Sequence, residues 1–251
     1  MPTNNDDQRT NAAAWTGARR QWREARRQPP WSQIGSDDLR CLLSRSSIPL
    51  RHIQRVVDMG SCDARRVLQA FPAIEALNRD DVDVTCVDIC SEAIEAGRER
   101  WSRLVEGEPG PGGPVPLPRP RFRVGFVHAS ATRLPASMSE RTTDLWIDWM
   151  MLHGLPKRCW RDYRLGIEQC KPRYFVLKCF TREHGTLTHL PQTIEGVEKH
   201  QLSDADVRAF LGHEYQLLDP PIDWPERLDA HAHSDGIEAA KRAYVFQRRC
   251  P

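Results

Sequence analysis

Two β-branched runs, each closed by an acid and followed at once by helical spacing, constrain this chain more than any other feature. "RVVDMG" passes through the tight turn "SCDA" into "RRVLQAF", and "VDVTCVDIC" passes into "SEAIEAGRER". Val56 and Val57 read as buried strand residues, with Val67, Leu68 and Phe71 as the inward stripe of the helix that follows. Asp63 is placed to cap that helix. Ser91 is placed to cap the next, whose stripe is Ile94, Trp101 and Leu104. Strand, helix, strand, helix predicts a parallel sheet with helices on its faces.

The pattern continues to the end of the chain. "RFRVGFVHASATRLP" holds a strand near Phe122 to Val127, "DLWIDWMMLHGL" another from Asp144, and "PKRCWRDYRLGIEQC" a helix with Trp160, Tyr163 and Ile167 on one side. "YFVLKCF" is a fifth strand, "SDADVRAFL" a capped helix, and "YQLLD" and "AYVFQRR" close the order as an antiparallel pair. The expected fold is α/β: a Rossmann-like, doubly wound sheet of seven strands, mostly parallel, with an antiparallel C-terminal strand pair.

Before the first strand, "SDDLRCLLSR" carries two acids in its first turn and leucines at helical spacing, a short helix. Residues 1–35 are polar and arginine-rich, with Trp15 and Trp22 on one helical face. They read as a helical arm or lid on a domain spanning 36–251, or as an arm that engages nucleic acid or a protein partner. "GEPGPGGPVPLPRP", residues 107–120, is neither helix nor central strand, because proline lacks an amide proton and glycine loses too much entropy. It is expected as an exposed insertion within the domain.

The length of 251 residues suits one generous domain, and the formal net charge of +2 gives no global signal for a polyanionic partner. No apolar run is long enough to cross a bilayer, and the start lacks a secretory pattern, so a cytoplasmic protein is expected. The cysteines fall without a C-x-x-C pair and are expected as free thiols. His231 and His233 lack neighbouring acids or cysteines, so no metal site is expected. No G-x-S-x-G, P-loop or H-E-x-x-H pattern supports hydrolase or nucleotide-triphosphate chemistry.

In a sheet of this kind ligands sit at the carboxyl ends of the strands where their order reverses, closest to the first strand-to-helix turn. Asp88, ending the second strand, is the natural acceptor for ribose hydroxyls. Asp63 in the first turn disfavours a phosphate there and suits a cationic or zwitterionic ligand. Asp148 lies among apolar residues in "WIDWMM", where an acid must be paired or face a cavity. His153 reads as a core histidine.

The order "VVDMGSCDAR", "VTCVDICSEAIEAGRER", "VGFVHASATRLP", "DLWIDWMMLHGLP" and "YFVLKCFTREHG" resembles the class I S-adenosylmethionine-dependent methyltransferases over residues 50–185. Within them the chain is similar to the thiopurine, thiol and halide methyltransferases, through "QPPWSQIG" and the tail "HQLSDADVRAFLGHEYQLLD". The resemblance implies S-adenosyl-L-methionine as cofactor. It places Asp58 and Gly60 at the methionine end with Cys62 against the cofactor beside them, Asp88 at the ribose, Ile89, Ser130 and Ala131 at the adenine, and Trp31 closing over cofactor or substrate. Asp148 would stand near the methyl group as the catalytic residue.

The chain departs from the family's pattern in several places: Cys62 and Ala64 replace glycines, Ser130 an acid, and Arg173 and Tyr174 a glycine pair. Cys62 costs about 1 kcal/mol if the turn requires positive φ, while Ala64 is tolerable if close helix packing is the need. The implied activity is methyl transfer to a small-molecule acceptor: a thiol, amine, oxygen or halide. A binding module that keeps the fold without the chemistry, and a protein or RNA methyltransferase, are the alternatives.

Overall fold

The computed structural model describes Ala13 and residues 36–106, 118–182, 193–194, 197–198, 200–227 and 238–249. The N-terminal arm with Trp31, residues 107–117 of the insertion, and the His231 and His233 pair lie outside the described residues. All seven described cysteines are thiols. Among the described residues no helix is long and apolar enough to cross a membrane.

Helix α1 (Ser36–Arg45) precedes β1 (Arg55–Met59), α2 (Arg65–Ala70), β2 (Asp83–Asp88), α3 (Ser91–Glu106), β3 (Arg123–His128) and β4 (Leu145–Trp149). Then follow α4 (Trp160–Cys170), β5 (Tyr174–Phe180), the two-residue strands β6 (Thr193–Ile194) and β7 (Val197–Glu198), α5 (Asp204–Leu211), β8 (Tyr215–Arg227) and β9 (Glu238–Arg248). The main sheet has seven strands in the order β3-β2-β1-β4-β5-β9-β8. Neighbours from β3 to β5 pair in parallel, and β9 runs antiparallel between β5 and β8. This is the doubly wound, Rossmann-like α/β sheet read from the sequence, and β1 and β4 flank its topological switch point.

Alternation along each strand builds two cores. Val56, Val84, Leu145, Ile147, Trp149 and Val176 face one way, under the leucines of α1 and the Val67, Leu68 and Phe71 stripe of α2, with Trp101 and Leu104 of α3 packed alongside. Met59, Trp146, Phe175, Leu177, Tyr244 and Phe246 face the other way, under Tyr163 and Ile167 of α4 and Val207 and Phe210 of α5. β4 and β5 are buried along their whole length, which is why they read as continuous apolar runs rather than alternating ones. Ser203 and Asp206 close α5 with a reciprocal capping box.

β8 is much longer than the "YQLLD" strand expected, because it continues through Pro220, Pro221 and Pro225. Register shifts between Leu217 and Asp219 and between Asp219 and Ile222 absorb the prolines. An edge strand tolerates residues without an amide proton, and proline there also discourages pairing with another chain.

Candidate functional site

The carboxyl ends of β1, β2 and β4 converge on the turn between β1 and α2. Gly60, Cys62 and Ala64 all adopt positive φ, at 65°, 54° and 55°. The turn therefore keeps the three left-handed positions that a glycine-rich loop would occupy, two of them filled by residues with a Cβ. Ala64 is not a simple packing substitution: it is strained as Cys62 is, and fully buried. Such strain costs about 1–2 kcal/mol per residue and persists only where the surroundings enforce it.

Those surroundings are specific. The Ser61 amide donates to the Val87 carbonyl at 3.0 Å. Asp88 accepts from the Cys62 amide at 2.8 Å and, through its other oxygen, from the Cys90 amide at 2.9 Å. One carboxylate at the end of β2 thus ties the first turn to the second. On the far side of the turn, Asp63 accepts from Arg100 of α3 at 2.8 Å and pairs with Arg65 at 3.5 Å, so two guanidiniums neutralise it. It also accepts from the Arg65 amide at 3.3 Å.

Asp58 and Asp148 sit on neighbouring strands but on opposite faces of the sheet, and both are fully buried. Asp58 meets Arg66 of α2 at 3.0 Å, and Arg66 also donates to the Trp149 carbonyl at 3.3 Å. Burial raises the Asp58 pKa, and Arg66 only partly opposes that rise. The second Asp58 oxygen and the Ser61 hydroxyl are buried without a hydrogen-bond partner.

Asp148 accepts from the amides of Met151 and Leu152 at 3.0 and 3.1 Å through one oxygen, and from the Tyr163 hydroxyl at 2.9 Å through the other. Burial pushes its pKa up from 3.8 to about 6 against the pull of those donors. In this arrangement Asp148 shapes the loop after β4, which begins at Met150 with φ of 75°. That loop returns Met151 to the first turn: a Cβ on Gly60 would stand 2.6 Å from the Met151 Cγ. His153 is buried with its ring edge-on to Phe180.

Gly60, Cys62, Asp88 and Ile89 come together on the first two turns. Ile89 is half-buried, and its carbonyl lies 3.0 Å from His128 Nε2. Ser130 and Ala131 follow β3 on the next loop, where the Ser130 and Thr132 hydroxyls share a hydrogen bond of 2.9 Å and Ala131 packs toward α4. Sequence reasoning missed Arg66, Met151 and Tyr163. Arg66 is hidden because an arginine in an arginine-rich helix start looks like surface. Met151 and Tyr163 are hidden because apolar and aromatic residues at helical or strand spacing look like core.

Neither a family model nor a curated protein matches the sequence. Solved structures do match in shape. A SAM-dependent methyltransferase from Anabaena variabilis is 9% identical, with 95% of each chain covered and a TM-score of 0.60. The 1,6-didemethyltoxoflavin-N1-methyltransferase of Burkholderia thailandensis, with bound 1,6-didemethyltoxoflavin and S-adenosylhomocysteine, is 14% identical over 99% of this chain and 92% of its own, at 0.60. The [4+2]-cyclase SpnF is 14% identical over 86% and 82%, at 0.57. At these identities the likeness carries the fold, which is the one found in these methyltransferases.

Proposed function

We propose that this chain is an S-adenosylmethionine-dependent methyltransferase. The observation that carries the reading is the first turn: left-handed backbone at Gly60, Cys62 and Ala64, held although two of the three residues are not glycine. A chain that keeps a strained turn at a sheet's switch point keeps it for a ligand that approaches the backbone closely. Ligand polarity fits as well. Asp58, Asp88 and Asp148 stand around the turn, and the buried unpartnered oxygens of Asp58 and Ser61 suit a ligand that brings an ammonium and a sulfonium.

The cofactor supplies a methyl group on a positively charged sulfur. Asp88 binds the ribose hydroxyls while holding the Cys62 and Cys90 amides. Asp58 and Ser61 face the methionine end, and Ile89, Ser130 and Ala131 flank the adenine. Asp148 acts on the loop from Met150 to His153, setting where an acceptor rests, and does so without contact with the reacting atoms. Methyl transfer needs donor and nucleophile in line at about 3–3.5 Å with water excluded, so positioning is the protein's main task.

The test is calorimetric titration with S-adenosylhomocysteine. Micromolar binding that weakens at least tenfold in Asp88→Ala is expected. A wild-type chain that takes up no ligand at millimolar concentration overturns the reading and leaves a binding module built on the same fold. Because a [4+2]-cyclase also has this fold, a second assay follows transfer of a labelled methyl group. It is offered to small thiols, amines, oxygen nucleophiles and halides, the acceptors that the family resemblance implies, and to RNA.

A further inference from the structure

The charges on this molecule are unevenly partnered. On the side of α1–α3 and along the rim below it, exposed arginines are matched: Arg40 with Asp37, Arg98 with Glu95, Arg103 with Glu99, Arg121 with Asp80 and Arg123 with Asp83. Arg45, Arg51 and Arg119 are exceptions, Arg119 donating to the Val105 carbonyl instead. On the α4–α5 side the carboxylates are the ones already taken. Glu168 is held by Arg164, Asp206 by Arg182, Asp204 by Arg242 and Glu214 by Arg248. Glu140 and Asp162 are interspersed there, and apart from them what remains is cationic.

Arg141, Lys171 and Arg173 are exposed and lie together at the lower end of α4, because the Arg173 amide donates to Thr143 and the Thr143 amide to Cys170. Arg161 projects from α4, and Lys157 stands just before it with its ammonium 5.8 Å from the Trp160 ring. Arg133 is exposed on the loop whose Ala131 and Leu134 pack over Gly166 in the middle of α4. Arg208 is exposed on the neighbouring α5. The track follows an eleven-residue helix, so it is about 16 Å long, and the loop of Ser130 and Ala131 meets it at mid-length.

We propose that this face docks a single strand of nucleic acid along its phosphates and leads one nucleotide to the candidate site. Charge complementarity argues for phosphate, and the absence of an apolar patch argues against a protein. Among the described residues the large exposed apolar side chains are Val105 and Leu165 alone, and of these only Leu165 is on this face. A protein interface needs a buried apolar centre, whereas a sugar-phosphate backbone needs spaced cations. A single strand is specified because a base inside a duplex stack cannot enter a site at the strand ends. Docking itself does not depend on the methyl-donor site; only the step from docked strand to methyl acceptor rests on the reading above.

The experiment measures binding of a fluorescent 20-nucleotide single-stranded RNA of mixed sequence to the full chain by anisotropy across a salt series. The comparison variants are the α4-side double reversal Arg161→Glu with Lys171→Glu and the opposite-side double reversal Arg98→Glu with Arg103→Glu. Wild type is expected to lose affinity with salt at a log–log slope of about −0.7 per phosphate contacted. The α4-side variant should lose tenfold or more at low salt and show a shallower slope, while the opposite-side variant stays within about twofold. Equal loss in both variants, no loss in the α4-side variant, or polyglutamate competing as well as RNA overturns the proposal. Calorimetric binding of S-adenosylhomocysteine by the α4-side variant, unchanged from wild type, keeps this outcome separate from failure of the methyl-donor site.

Discussion

Tyr163 donates its hydroxyl proton to Asp148 at 2.9 Å and accepts one from the Trp146 indole at 3.1 Å, so one phenol from α4 joins two residues of β4. All three side chains are fully buried. Removing the hydroxyl leaves an indole proton and a carboxylate oxygen without that partner. Tyr163→Phe is therefore expected to cost about 2–3 kcal/mol in denaturant titration. It also moves the Asp148 pKa further up, since the Tyr163 bond is among the groups that hold it down.

Stability should carry the mark of Asp148 as pH changes. A carboxyl that titrates higher in the folded chain than in the unfolded one favours the folded state when protonated. Its contribution is complete below about pH 4 and vanishes as pH rises past about 6. A rise of that size is worth roughly 3 kcal/mol. Asp148→Asn keeps an acceptor for the Met151 and Leu152 amides but cannot ionise. Relative to wild type, the variant should therefore be more stable at pH 7 than at pH 4 by roughly that amount, read by paired thermal melts. Parallel pH dependence in the two proteins counts against a buried, perturbed Asp148.

The strained turn gives a stability test of its own. Cys62→Gly relieves a left-handed residue at φ of 54° and should stabilise by about 0.5–1 kcal/mol after glycine's entropy cost is deducted. Ala64→Gly gains the same relief but loses a buried methyl, so it should be nearly neutral. Gly60→Ala meets the Met151 side chain at 2.6 Å as well as the backbone strain, and should cost about 2–3 kcal/mol. Adding Met151→Ala should recover only a fraction of the steric part, because alanine keeps the Cβ that would stand 2.7 Å away. Denaturant midpoints decide all four.

Lys178 of β5 is fully buried, with its ammonium 2.7 Å from Asp38 of α1 and 5.0 Å from the Trp149 ring. Asp38→Ala strips a counter-charge from that ammonium and should destabilise by about 3 kcal/mol. Lys178→Met, which replaces the charge with an apolar chain of similar length, should cost distinctly less. Reversal of that ranking shows that α1 is held by its leucines and not by the ion pair.

The parallel strands were legible because burial on both faces forces β-branched and apolar runs, and the position of Asp88 at the end of β2 was legible because the run "VDVTCVDIC" closes there. Trp146 and Trp149 show where legibility stops: three positions apart in one run, they enter different cores, and no pattern says that Trp149 is the one with Arg66 and Lys178 beside it. Asp148 was found as an acid that required partners, yet the partners lie on a loop amide pair and on a helix beginning eleven residues beyond the strand. The strain at Ala64 was invisible because alanine suits most backbones, so its identity says nothing about φ. β8 was cut short in the reading because prolines end central strands but not edge strands.

Among the described residues, β8 is joined to the rest of the sheet through β9 alone. During synthesis, therefore, residues 215–227 emerge with no ladder to join, and the free edge of β5 stays open until residues 238–248 have left the ribosome. Whatever shields that edge in the interval decides whether the nascent chain closes its own sheet or finds another copy's.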